Sequence, residues 1–156
     1  MKNTLPAEPS RRNILKKVLA VSALSVTGIG TLSLPTLSFA ASLSKEERDR
    51  MTPDAVIERF KQGNLRFRGN RPAKHDYLVQ KRSTIAGQYP AAVILSCIDS
   101  RAPAEIVLDA GIGETFNSRV AGNISNRDIL GSMEFACAVA GAKVVLVMGH
   151  TRCGAV

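Results

Sequence analysis

Cysteine is scarce in this chain, three in 156 residues, too few for a disulfide framework. Aromatic residues are also few: five Phe, two Tyr and no Trp. Stacking platforms for bases are therefore not evident. A net charge of +8 nevertheless invites a nucleic-acid reading, which its distribution weakens. Five basic residues (Lys2, Arg11, Arg12, Lys16, Lys17) face one acid, Glu8, in the first forty positions. Much of the remaining excess lies between Arg59 and Arg82, where a solvated helix face and loop account for it. No nucleic-acid partner is expected. Internal repeats and low-complexity tracts are absent as well, which leaves the apolar patterning of one domain to interpret.

Charge is missing altogether from Val18 to Ser44. A basic start, this neutral stretch and the small residues around Ser38-Phe39-Ala40 form an export signal, with cleavage expected after Ala40. The adjacent Arg11-Arg12 resemble a twin-arginine signal, with Ile14 where such signals usually carry Phe. That route exports folded proteins, so a metal can be loaded before the chain reaches an oxidising periplasm. An uncleaved anchor is the alternative, since a span needs roughly 20 apolar residues. Pro35 and the many hydroxyl residues and glycines oppose it, and no stable membrane insertion is expected after cleavage. The expected organisation is a signal over 1–40, an N-terminal extension over 41–51 and a domain over 52–156.

Thr52-Pro53-Asp54 opens a helix, with a hydroxyl cap, proline at the first helical position and an acid in the first turn. Val56, Ile57 and Phe60 share its face, and Gly69-Asn70 ends it after about Arg68. A short helix is expected over 79–86. The continuous apolar run 91–96 reads as a strand buried on both faces, and 143–148 as another of the same kind. A weaker strand lies around 115–117. Pro103 to Asp109 forms a short helix, and Asn126 caps a longer one through Ala140, with Gly141 as its stop. Within it Cys137 reads as a small buried hydrophobe. Apolar strands alternating with helices predict an α/β fold on a parallel sheet, which places its chemistry beyond the carboxyl ends of the strands.

Two peptides fall at that edge: Cys97-Ile98-Asp99-Ser100-Arg101 and His150-Thr151-Arg152-Cys153-Gly154. Cys97, Asp99, His150 and Cys153 offer two thiolates, a carboxylate and an imidazole, a donor set that suits four-coordinate Zn²⁺. Arg101 stands where it competes for the Asp99 carboxylate. Plainer readings exist for each residue: a Cys97 to Cys153 disulfide, an Asp99 to Arg101 salt bridge shaping a turn, a His150 that caps a turn. None explains the set together.

With these motifs the chain resembles the β-class carbonic anhydrases, zinc enzymes that interconvert CO₂ and bicarbonate. Gly113-Glu114-Thr115-Phe116 and Arg119-Val120-Ala121-Gly122-Asn123 are further matches, and Phe135 stands where many members have tyrosine. The resemblance implies a parallel sheet of that family's type with three of its strands present, and zinc held by Cys97, His150 and Cys153. Its fourth position would go to Asp99 or to water. Asp99 and Arg101 would be the catalytic pair, and Gln88 and Phe116 would bind substrate in a small, largely apolar pocket. It also implies a homodimer or larger homo-oligomer, with the pocket completed at the interface and the helix from Thr52 as the arm.

The family's chain continues past the Cys-Gly turn with a helix, another strand and a C-terminal segment, whereas this sequence runs three residues beyond Cys153. The expectation is therefore an incomplete domain, whose 144–148 strand has an uncovered side. An inactive zinc-binding remnant is the alternative reading. A hydrolase of carbonyl sulfide or carbon disulfide on the same scaffold is a further one.

Overall fold

The computed structural model describes residues 41–156. The expected signal, its cleavage site and the alternative anchor within 1–40 lie outside the described residues. Among those described, no helix is long and apolar enough to cross a membrane.

The order of elements is α1 (Lys45–Arg50), α2 (Pro53–Arg68), α3 (Tyr77–Ser83), β1 (Ala92–Ser96), α4 (Ala104–Val107), β2 (Thr115–Arg119), α5 (Arg127–Glu134, widening into a π turn over Phe135–Val139) and β3 (Val144–Met148). Polar caps set several of the helix starts. Ser44 and Glu47 form a reciprocal capping box on α1, the Thr52 hydroxyl accepts from the Ala55 amide before Pro53, and Asn126 Oδ1 accepts from the Ile129 amide at 2.9 Å. Each such cap is worth about 1 kcal/mol. Three extents differ from expectation. Asp76 accepts from the Val79 amide, so its cap starts the third helix at Tyr77 and it ends at Ser83. The fourth is confined to Ala104–Val107. The helix after Asn126 ends in i→i+5 bonding, with Ala140 N–H reaching the Phe135 carbonyl at 3.0 Å.

All three strands are parallel, in the order β2-β1-β3. Central β1 is buried along its whole length, and its alternating side chains feed two cores. Ala92 and Ile94 pack with Val56 and Phe60 of α2 and with Ala104 and Leu108. Val93 packs on the other face with Ala136 and Ala142, flanked by Phe116, Met133 and Cys137. Cys137 thus packs against this core, although it is only partly buried. Burying Ile94 fully contributes about 1.5–3 kcal/mol.

The third strand departs from the two-sided burial of its apolar run and has the uncovered side expected for it. Val144, Leu146 and Met148 are partly buried beside the first core, but Val145 and Val147 are exposed. Only the face toward that core is therefore covered, and among the described residues β3 is also an edge strand, paired with β1 alone.

Close approach decides one position in α2. A Cβ on Gly63 would stand 1.9 Å from the Leu108 carbonyl oxygen, so only glycine lets α2 lie against the end of α4. Asn64 Nδ2 donates to the Val107 carbonyl at 3.0 Å beside it. The segment expected as an extension is bonded to the domain: the Ser42 hydroxyl donates to the Ile112 carbonyl, and buried Arg48 donates to the Ala140 carbonyl.

Candidate metal centre

Parallel register aligns Ser96 of β1 with Arg119 of β2 and Met148 of β3. The chain leaves all three strands at one edge of the sheet, and both motif peptides meet there. Cys97 is buried, with its Sγ 3.7 Å from that of Cys153. Both cysteines are free thiols, so they are not the disulfide considered above. The donor atoms of Cys97, His150 and Cys153 lie within 4.8 Å of one another.

The environment of His150 tests whether this cluster fits a metal. Its Nδ1 donates to the Thr151 carbonyl at 3.1 Å, which leaves the lone pair of the neutral ring on Nε2. That Nε2 is buried without a hydrogen-bond partner. An unsatisfied buried nitrogen beside two thiols is costly as a structural feature and suited to a metal ligand. Two sulfurs and one imidazole nitrogen are donors that Zn²⁺ prefers. The residues fit the ion.

Asp99 stands at the border of this set. Arg101 holds its carboxylate through Nε to Oδ1 at 2.9 Å and Nη2 to Oδ2 at 2.7 Å, and the Arg101 amide adds a third bond. The Arg101 side chain and amide keep the carboxyl far below the usual carboxylate range. Its Oδ2 remains 3.7 Å from His150 Nε2. In this structure Asp99 is Arg101's partner and lies outside the three-residue donor cluster.

Electrostatics at the cluster favour the thiolate. The neighbouring His150 imidazole pulls the Cys97 thiol down to about 6, helped by amides of Asp99 and Gly122. Cys97 and the Thr151 carbonyl in turn push His150 up. The Gly122 N–H points at Cys97 Sγ from 3.4 Å. Gly122 has φ +67, a left-handed conformation that glycine adopts without strain.

The two residues expected to bind substrate lie elsewhere in the chain. Gln88 is exposed and precedes β1, at the end of the strand opposite to Cys97. Phe116 pairs with Val93, the second residue of β1, so it too lies toward the end of the strand away from Cys97. It meets Phe135 at 6.3 Å between ring centroids in an open cavity of about 600 Å³ that Arg127 and Asp128 also line. Neither joins the cysteines.

A family model described as carbonic anhydrase matches residues 92–156, a span that contains both motif peptides. Carbonic anhydrase 2 of Mycobacterium tuberculosis is 43% identical over 105 residues, which cover 67% of this chain and 51% of that one. Beta carbonic anhydrase 3 of Arabidopsis thaliana is 30% identical over 118 residues, 71% of this chain and 45% of its own. The chain belongs to the β-class carbonic anhydrase family. It spans about half the length of the curated relatives it matches. A tetrameric β-carbonic anhydrase from the filamentous ascomycete Sordaria macrospora superposes with a TM-score of 0.47 at 24% identity, over 64% of this chain and 51% of that one.

Two residues of this carbonic anhydrase domain were recognisable as part of a family-like segment but not for what they do. Gly122 donates to the Cys97 sulfur, and the Arg119 guanidinium bonds carbonyls of the Cys97 to Asp99 turn. Only the pairing of β2 with β1 brings them there.

Proposed function

We propose that this chain carries the catalytic metal centre of a carbonic anhydrase, which converts CO₂ and water to bicarbonate and a proton. Cys97, His150 and Cys153 hold the zinc. When bound there, zinc supplies Lewis acidity that lowers the pKa of a coordinated water to about 7. The observation that carries this reading is the buried His150 Nε2, unpartnered beside two free thiols.

Each neighbouring group has a task in it. Arg101 keeps the Asp99 carboxylate ionised and out of the donor set. Held so, Asp99 Oδ2 accepts a hydrogen bond from the reacting water and turns its lone pair toward CO₂. The Gly122 amide stabilises the Cys97 thiolate. Arg101 Nη2 also reaches the Arg152 carbonyl at 3.4 Å, which ties the two motif peptides together.

Gln88 and Phe116 cannot serve this centre within one chain while they stay toward the strand's far end. In the proposed homodimer they complete the pocket of the second copy. Exposed Phe135, Val139, Val145 and Val147 supply apolar surface for that association. Export through residues 1–40 belongs to the same reading and rests on the basic start and uncharged stretch.

Stopped-flow CO₂ hydration, with zinc measured on the same sample, tests the proposal. The expected result is one zinc per chain and hydration above the buffer rate. One zinc per chain without hydration overturns the catalytic reading and favours the inactive remnant.

A further inference from the structure

Arg119 closes β2 in register with Ser96, the last residue of β1. Beyond that point the ladder between the two strands retains the Val120 N–H to Ser96 carbonyl bond and the Ile98 N–H to Val120 carbonyl bond. The carbonyls of Cys97 and Asp99 continue past the strand into the turn that carries the metal donor and the carboxylate beside it. Arg119 takes both: Nε donates to the Cys97 carbonyl at 3.0 Å, and Nη2 donates to the Asp99 carbonyl at 2.7 Å.

A guanidinium offers its donors in a rigid planar fork, so satisfying two carbonyls two residues apart also fixes their relative orientation. That orientation sets where two side chains point. Cys97 faces His150 and Cys153, while Asp99 faces Arg101. We propose that Arg119 is a positioning residue of the metal centre, holding the Cys97 to Asp99 turn in the form that presents the thiolate and keeps Asp99 on Arg101. Without the fork the peptide planes of the turn rotate more freely. Asp99 then gains access to the metal, and Cys97 loses its fixed direction. This inference rests on the zinc reading above.

The full chain, loaded separately with Zn²⁺ and Co²⁺, provides the test. Zinc affinity is read by chelator competition, the ligand field by the visible absorption of the cobalt form, and folding by circular dichroism and thermal melting. In Arg119→Met zinc affinity falls about 10- to 100-fold, in the range usual for outer-shell partners of metal ligands, and the cobalt bands shift. In Arg119→Lys, which keeps the charge but not the fork, part of the affinity returns. Wild-type affinity and bands in a folded Arg119→Met overturn the inference. So does an affinity loss that merely follows lost stability, with unchanged bands and no recovery in the lysine variant. If Arg119→Met does not fold, Arg119→Lys decides alone: weaker zinc binding with shifted cobalt bands supports the inference, and wild-type values overturn it. Absence of metal binding in the unsubstituted chain is a separate failure, independent of residue 119. It overturns the zinc reading and this inference together.

Discussion

His150 has one nitrogen satisfied and one buried without a partner, and the chemistry of the centre follows from that asymmetry. Thiolates and a neutral imidazole are the forms that bind zinc, so protons compete with the metal. The Cys97 thiol is depressed to about 6; it stays thiolate above that pH and takes up its proton as pH falls through it. His150 is raised, so it too gains a proton on acidification. The two shifts act in opposite directions: the lowered thiol resists protonation down to about 6, whereas the raised imidazole takes up its proton already above its ordinary 6.5. Zinc binding therefore weakens as pH falls from neutrality and is lost below about 6. Chelator competition across this range checks it, and a loss already complete near pH 8 contradicts it. Asp99 behaves differently. Its depressed pKa places its contribution to stability above the ordinary value of 3.8, with loss only as pH falls through its lower folded value. The two Asp99 and Cys153 variants separate binding from turnover. Asp99→Ala keeps zinc but lowers hydration by about 10- to 100-fold, whereas Cys153→Ser loses the metal, as zinc analysis and hydration rates on purified variants would show. The three residues that cluster, Cys97, His150 and Cys153, were legible from residue type and spacing, whereas Asp99, read with them as a fourth donor, pairs with Arg101 here. Arg119 was not legible, because its bonds to two carbonyls depend on strand pairing and leave no mark of their own on local sequence.

At the scale of elements, tight contacts explain which sequence signals held. The cap residues Thr52 and Asn126 and the apolar run into β1 were readable because caps and burial act locally. The π turn over Phe135–Val139 was not, since i→i+5 bonding has no compositional signature to distinguish it from the α-helix before it. The half-exposed β3 shows the same limit. A run of Val and Leu reports the capacity for burial on both faces, while the neighbours present decide how much occurs. Gly63 carries the clearest prediction here. Gly63→Ala drives a Cβ into the Leu108 backbone and separates α2 from α4, at a cost of about 1–3 kcal/mol. Thermal melting should show a lower midpoint; an unchanged midpoint contradicts the close contact.

For the whole molecule, the register of one short parallel sheet brings Cys97, Arg119 and His150 to a common edge and leaves Gln88 and Phe116 away from it. The resemblance supplied roles for those two residues, but their placement within a single chain required the fold. In the proposed homodimer, association of two copies through the exposed face that includes Phe135 and Val139 would accommodate their separation from the thiolates. Sedimentation should therefore find a dimer or larger assembly. Val139→Glu, at a site 72% exposed in one chain, should shift it toward monomer without loss of fold. A monomeric unsubstituted chain contradicts this account of the pocket. The central claim, that Cys97, His150 and Cys153 form a zinc site, is tested most directly by zinc X-ray absorption on the purified 156-residue chain. The account predicts two sulfur neighbours at about 2.3 Å and nitrogen or oxygen neighbours at about 2.0–2.2 Å; a sulfur-free zinc shell, or a chain that binds no zinc, would contradict it.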